Sequence, residues 1–380
     1  CLRADGRSMW RILKYIDTYC HKEDQNVGKI RVGIVGSKFA AELHARAYMR
    51  CPQAEMVAAA APDNLYEFAD RYGIPERYES YEEMLAKSEL DMVSVCVPNF
   101  LHHPVVIAAA EAGLHVVCEK PLATTIEDGA EMVRTCRERG VKLMYAEDWL
   151  FAPAIVRAKE IIDEGALGEI FYVKAKETHA GSHSPFAQKL STCGGGSMIH
   201  LAIHPAAFVR WLAGCEPADV IGKVSGGLGD NFVHRHFEGE DWGASVITFE
   251  NGMKALIEGN YITVGGMDDR IEVYGSKGNL HINLTQGSPI SVYSEVGYAY
   301  VLEKADMSTG WTRPAVDEDA SLGYVAEIAE FVRCVAEGTE PPAGASGEDG
   351  LAALAMILAT YQSSKEGRSV NPQDLWKELL

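Results

Sequence analysis

Apolar residues fall into short continuous runs in the first part of the chain and into alternation later. Ile30-Arg31-Val32-Gly33-Ile34-Val35-Gly36 predicts a buried strand that enters a tight turn. Phe39 to Met49 then predicts a helix, Met56 to Ala61 a second strand, and Leu65 to Tyr72 a helix ended by Gly73. Tyr81 to Ala86 predicts a short helix, Met92 to Val97 a strand stopped by Pro98, and Pro104 to Ala112 a helix closed by Gly113. A strand at Leu114 to Cys118, a helix at Thr125 to Arg139 closed by Gly140, and a strand at Lys142 to Ala146 follow. Such strict strand–helix alternation implies parallel strands joined by crossover helices.

The pattern changes after Pro153. Ile155 to Glu164 predicts a helix and Ile170 to Glu177 an alternating strand; a Gly194-Gly195-Gly196 turn then precedes a helix from about Ser197 to Ala213. Strands dominate from Asp219 to Tyr300, among them Ala244 to Phe249, Lys254 to Tyr261 and Arg270 to Tyr274, with turn signals at Asn251-Gly252 and Ser276-Lys277-Gly278. Those features predict a mostly antiparallel sheet. Helices at Tyr324 to Glu337 and Glu348 to Glu366 end the pattern, and Met9 to Cys20 suits a short helix near the start. The expected class is α/β, and 380 residues suit about two domains.

Composition narrows the partners. Thirty-five Lys and Arg stand against 54 Asp and Glu, a formal net charge of -19. That balance argues against a nucleic-acid partner and against anionic lipid, both of which need a basic face. No apolar run is long enough to span a membrane, and no apolar segment of a signal peptide follows Arg3 and Arg7. The nine cysteines are scattered, odd in number and without a C-x-x-C pair, which suits reduced thiols in a cytoplasmic protein. A small molecule of little charge is the partner that remains.

Chemistry concentrates at two places. Glu119-Lys120-Pro121 lies at the end of the apolar run Leu114 to Cys118. A charged amine at the end of a buried strand loses hydration, and the carboxyl ends of parallel strands are where open α/β sheets bind ligands, so Lys120 is the first candidate for catalysis. Gly36-Ser37-Lys38-Phe39-Ala40-Ala41 occupies the strand-to-helix turn of a dinucleotide fingerprint. Gly36 permits the turn and Ala41 permits close helix–strand packing, but Lys38 replaces the middle glycine, which lets backbone approach a pyrophosphate. A lysine there can pair with the pyrophosphate instead. The second strand ends Ala60-Ala61-Pro62-Asp63, with Asp63 as the nearest acid for ribose hydroxyls and no nearby Arg or Lys beyond it for a 2′-phosphate, so NAD is expected over NADP.

Taken in order, the turn at Gly36–Ala41 with His44, Val97-Pro98-Asn99-Phe100-Leu101-His102, Glu119-Lys120-Pro121-Leu122, Gly194-Gly195-Gly196 with His204, Glu272-Val273-Tyr274-Gly275 and Gly347-Glu348-Asp349-Gly350 resemble the Gfo/Idh/MocA family, the glucose–fructose oxidoreductase and inositol dehydrogenase group. The resemblance runs from about Ile30 to Val370. It implies an N-terminal Rossmann domain with a doubly wound parallel sheet and a C-terminal α/β domain with an open, mainly antiparallel sheet. Expected boundaries are an extension at 1–29, a dinucleotide-binding domain at 30–150, and a substrate and oligomerisation domain at 151–380 whose final helices pack back. Gly36, Ser37, Lys38, Phe39, Ala40 and Asp63 would hold one end of the cofactor. Pro98, Asn99, His102, Glu119, Lys120 and Glu147 would line the nicotinamide end. The implied reaction is oxidation of a secondary alcohol of a sugar, glycoside or cyclitol, by a protein that assembles as a homo-oligomer.

The resemblance also assigns Lys120 and His204 to proton transfer. Where the family has an Asp four residues before the catalytic His, this chain has His200. Spacing of four places His200 and His204 on one helix face. A neutral His200 would not hold Lys120 protonated as a carboxylate does; it would lower the lysine's pKa, or take the proton itself. Trp149, His179 and His183 are candidate substrate contacts. The family's NAD chemistry needs no metal, and none is expected, although His179, His183, His200 and His204 could in principle gather around one. Two rival readings stay open: a metal-assisted lyase or hydrolase on the same scaffold, and a non-catalytic NAD-binding sensor.

Overall fold

The computed structural model describes residues 28–182, 184–285, 287–288, 290–298, 309–314 and 316–380. The expected helix at Met9 to Cys20 and nearly all of the 1–29 extension lie outside them, as does His183. Six strands, β1 (Ile30–Val35), β2 (Ala54–Ala60), β3 (Glu76–Tyr78), β4 (Met92–Val95), β5 (His115–Glu119) and β6 (Leu143–Ala146), form one sheet in the order β3-β2-β1-β4-β5-β6. Every pairing in it is parallel. The apolar runs are continuous because helices cover both faces: β4 is buried along its whole length, and β1 in all but Arg31. β3 escaped the sequence pattern because its three residues, two half-buried and one exposed, are too few to carry a period.

Strand order reverses between β1 and β4, and a crevice opens there at the strands' carboxyl ends. The turn that leaves β1 must approach β4 closely. Gly36 has φ +125°, and a Cβ at that position would stand 2.2 Å from the carbonyl oxygen of Cys96, so no other residue fits.

The second sheet has the order β12-β11-β7-β10-β9-β8, built from β7 (Ile170–Thr178), β8 (Pro217–Val224), β9 (Trp242–Phe249), β10 (Lys254–Asn260), β11 (Arg270–Gly275) and β12 (Gly278–Asn283). Only β7 and β10 run parallel; the other pairings are antiparallel. A small hairpin, β13 (Val292–Ser294) with β14 (Gly310–Thr312), stands apart. Val173, Ala175, Ile257 and Ile271 fill the inner face beneath the helices Ile203–Ala213 and Gly347–Glu366. The last helix also returns to the first sheet, where Tyr145 donates its amide to Ala345 at 2.8 Å. Arg46 and Asp319 close the same junction with a two-pronged ion pair at 2.7 and 2.8 Å.

One predicted helix is two. Ser197–His200 and Ile203–Ala213 are separated at Leu201-Ala202. Pro205 supplies no amide hydrogen and crowds the carbonyl four residues back, which explains the break. His200 ends the first helix and His204 sits in the first turn of the second, so they do not share the face of one continuous helix.

Candidate active site

The crevice at Gly36 continues into a cavity of about 470 Å³ between the two sheets. The first sheet lines it with Gly36, Ser37, Lys38, Phe39, Ala40 and Asp63 at one end, and with Pro98, Asn99, Glu119 and Lys120 further in. The second part of the chain adds His179, His200, His204 and Glu177, and Trp149 stands at the junction. All of these but Glu177 were singled out in the sequence, and they meet in one place.

At the outer end, Ser37 Oγ donates to the carbonyl of Asp63 at 2.7 Å, and Asn64 returns a bond to the Ser37 carbonyl at 3.0 Å. Lys38 Nζ pairs with the Asp63 carboxylate at 2.7 Å. The turn also opens the helix Phe39–Met49, whose amino end favours an anion. Tight glycine, helix amino end, exposed lysine and an acid after β2 together fit a dinucleotide.

Glu119 lines the cavity and also holds a partner behind it, whereas His102 has a different task. Glu119 Oε1 lies 3.0 Å from His44 Nε2, and His44 Nδ1 lies 3.2 Å from Ser94 Oγ, which bonds Tyr48 at 2.7 Å. Burial pushes Glu119 upward, but the His44 bond and the neighbouring positive charges outweigh it and hold the carboxyl below its ordinary value. His102 does not line the cavity. Its ring bridges the carbonyls of Pro121 and Val97 at 2.8 and 3.0 Å, and so ties the loops after β4 and β5 together. Asn99 donates to the Cys193 carbonyl at 2.9 Å, across the junction.

Lys120 Nζ donates to the carbonyl of His200 at 3.3 Å. Burial would lower its pKa, but Glu177, Glu119, Asp148 and Glu147 outweigh burial and raise it. The expectation that a neutral His200 lowers the lysine's pKa is thus corrected: the adjacent Glu119 and three carboxylates from other elements keep the amine charged. His200 meets it through backbone, while its own Nδ1 bonds the Tyr261 hydroxyl.

His204 is the best-held ring in the cavity. Nδ1 lies 2.5 Å from Glu147 Oε1 and 3.4 Å from Asp148, Nε2 lies 3.5 Å from Glu177, and Trp149 stacks on the ring at 5.5 Å. Burial, with the positive charges of Lys120 and His200, pushes its pKa well below the usual imidazole value, so it is neutral. Glu147 is fully buried behind it, bonded to His204 rather than lining the cavity. Burial and the nearby Asp148 drive the Glu147 pKa well above a normal carboxylate, and burial lifts Asp148 to about 7.

Glu177, Asp148 and Asp269 received no role from the sequence, yet all three line the cavity. Glu177 had a legible signal. It shares the inner face of β7 with Val173 and Ala175, and an acid on a buried face is costly unless something uses it. His179 sits 3.1 Å from Glu177.

Buried acids make stability fall as pH rises. Burial lifts Glu240 to about 7 and Asp269 to about 8. Both stay protonated in the fold but ionise near 4 when unfolded, so the unfolded state binds fewer protons and stability drops until pH passes the folded values. Each group is expected to cost on the order of 1–2 kcal/mol between pH 6 and 8. Thermal melts should give the lower Tm at pH 8; an equal or higher Tm there contradicts these assignments.

The chain matches two family models. Residues 30–147 match the GFO_IDH_MocA oxidoreductase family, NAD-binding Rossmann fold, and residues 159–371 match that family's C-terminal alpha/beta domain. It is 27% identical over 366 residues to levoglucosan dehydrogenase of Pseudarthrobacter phenanthrenivorans, covering 81% of this chain and 90% of that one. It is 28% identical over 356 residues to myo-inositol 2-dehydrogenase of Thermotoga maritima, covering 91% and 99%. The crystal structure of GenD2 from gentamicin A biosynthesis, in complex with NAD, superposes with a TM-score of 0.84 at 25% identity, covering 92% of this chain and 98% of that one.

Proposed function

Because the chain belongs to the Gfo/Idh/MocA oxidoreductase family, we propose that it is an NAD-dependent dehydrogenase that oxidises a secondary alcohol of a sugar, glycoside or cyclitol to the ketone. The observation that carries this reading is the meeting of Lys120, from the end of β5, with the Glu147–His204 pair in the cavity that begins at the Gly36 turn. The relatives named above act on substrates of this kind. Residues 30–150 form the cofactor domain in this reading, and 151–380 the substrate domain.

A bound nicotinamide would supply the hydride acceptor. This chain's residues handle the proton and the oxygen. Lys120 Nζ, kept charged by its carboxylates, donates to the substrate oxygen and stabilises the negative charge that grows there. Neutral His204 takes the hydroxyl proton at Nε2 while Nδ1 donates to Glu147 Oε1. The positive ring that results faces Glu147, Asp148 and Glu177. Trp149 fixes the ring plane, and the carbonyl of His200 fixes Lys120. Purified protein mixed with NAD and a panel of sugars, inositols and glucosides tests the reading through the absorbance of reduced nicotinamide. Growth of that band with one class supports it, and no growth with any member of the panel counts against it.

Cofactor choice rests on Asp63, whose charge repels a 2′-phosphate and occupies Lys38. Asp63→Ala is expected to shift the NADP/NAD ratio of kcat/KM toward NADP by about tenfold, or ~1.4 kcal/mol. An unchanged ratio would remove Asp63 from cofactor discrimination. The second sheet's outer face exposes Ile221 and Val246 and suits packing of another copy, as a homo-oligomer. The seven described cysteines are free thiols, in keeping with a reducing, cytoplasmic setting. No described helix is long and apolar enough to cross a membrane.

A further inference from the structure

Behind the cavity the first sheet buries a row of polar side chains that the proposed proton transfer does not use. Ser94 sits inside the wholly buried strand β4. His44 and Tyr48 stand four apart on the helix Phe39–Met49, so they share the face that meets Ser94. Glu119 follows at the end of β5, and all four residues are buried. Polar groups in such a place are costly unless each hydrogen finds an acceptor.

The partners place every hydrogen. Among the described residues the Tyr48 hydroxyl has one partner, Ser94 Oγ at 2.7 Å, so Tyr48 donates. Ser94 then has His44 Nδ1, at 3.2 Å, to receive its own hydrogen. Nδ1 is therefore bare, and the ring hydrogen sits on Nε2, which donates to Glu119 Oε1 at 3.0 Å. Glu119 Oε2 accepts the amide of Lys120 at 3.1 Å. Both carboxyl oxygens are acceptors in this chain, which suits the ionised acid. Running the chain the other way would leave the Tyr48 hydrogen without an acceptor.

We propose that Tyr48, Ser94 and His44 act as a positioning relay that keeps Glu119 ionised at the cavity wall, where its charge favours the oxidised over the reduced nicotinamide. The proposal rests on the dehydrogenase reading, in which Glu119 lines the nicotinamide end. The ring of NAD is positive and that of NADH is neutral, so a nearby carboxylate attracts the first and gains little from the second. Charge reaches Glu119 from several elements. Lys120 lies beside it and His102 stands on the helix after β4, while Glu147 and Asp148 follow β6 and Glu327 comes from the helix Tyr324–Glu337. The bases favour the charged form and the acids oppose it, with the His44 hydrogen bond the strongest influence on the charged side.

Nitrogen NMR of the full wild-type chain, free of cofactor and sugar, reads the relay apart from the dehydrogenase reading. The His44 ring should show a bare Nδ1 and a protonated Nε2 at about pH 7. Calorimetric titration with NAD and with NADH then reads its effect. Ser94→Ala removes the donor to Nδ1, so the ring hydrogen can move there and leave Nε2 bare against Glu119, which takes up a proton. The Glu119 value then rises, and the loss is greatest at low pH and recovers as pH climbs through the raised value. NAD should bind this variant about tenfold more weakly than wild type at pH ~5.5 and within about twofold at pH ~8, with NADH changed by about twofold at most. Tyr48→Phe keeps the Ser94 hydroxyl and should stay within about threefold of wild type for both. Circular dichroism checks that the variants fold. A ring protonated at Nδ1, unchanged NAD affinity in folded Ser94→Ala, or a loss equal for NAD and NADH at both pH values would overturn the relay. Failure of wild type to bind NAD would instead sink the dehydrogenase reading and the relay's effect on the cofactor together, with the ring tautomer judged separately.

Discussion

Lys120→Ala is expected to lower kcat by about 10³-fold while leaving nicotinamide binding within a few-fold of wild type. The side chain lies where the end of β5 reaches the cavity, and its charge is set by Glu177, Glu119, Asp148 and Glu147. Removing it withdraws the donor from the substrate oxygen as charge develops, and also leaves buried carboxylates without their cation. The proposed cofactor contacts at Gly36 to Ala40 lie at the other end of the cavity and are untouched. Steady-state kinetics and a cofactor fluorescence titration separate the two effects. Full retention of turnover would remove Lys120 from the chemistry; if the protein showed biological activity without any turnover in either form, a sensor role would be favoured instead.

Glu147→Gln should lower kcat by about 10²–10³-fold with a smaller change in KM. The family resemblance places a carboxylate four residues before the catalytic histidine, where this chain has His200. Glu147 reaches in from the end of β6 to within 2.5 Å of His204 Nδ1, and in the proposed mechanism it does that work from another element. An amide can present its nitrogen to the ring and favour the wrong tautomer, and it gives no charge to meet the protonated ring. The pH profile should change with it: the acid limb that Glu147 helps to set should shift or flatten. Placing a carboxylate back on the helix, as His200→Asp in the Glu147→Gln background, should recover at least tenfold of the loss. A double variant no better than the single, with the pH profile unmoved, would assign Glu147 to packing alone.

Strand–helix alternation and the order of the motifs were enough to read both sheets, β3 apart, and the turn at Gly36, since each rests on local rules: period, glycine at positive φ, and helix caps such as Thr125 and Ser346. The ends of the elements were less legible. Pro205 carried the signal that splits Ser197 to Ala213, but an apolar helical pattern running through it masked the break. Lys120 and His204 could be named from sequence because their places in ordered motifs are local. Their partners could not. Glu147 and His204 are 57 residues apart, and Glu119 and His44 are 75 apart, so no spacing rule joins them.

The sequence by itself therefore determined the α/β class and the turn after β1, because periodicity and turn chemistry act over a few residues, while its ordered motifs pointed to the family and to the residues proposed for chemistry. The tertiary structure alone decided what those residues face. It set Lys120 among carboxylates that keep it charged, buried His204 as a neutral ring beside Glu147, turned His102 into a loop tie, and directed His200 to Tyr261. Burial and charge at a site are sums over groups brought together from distant parts of the chain, and protonation follows those sums rather than the identity of any one residue.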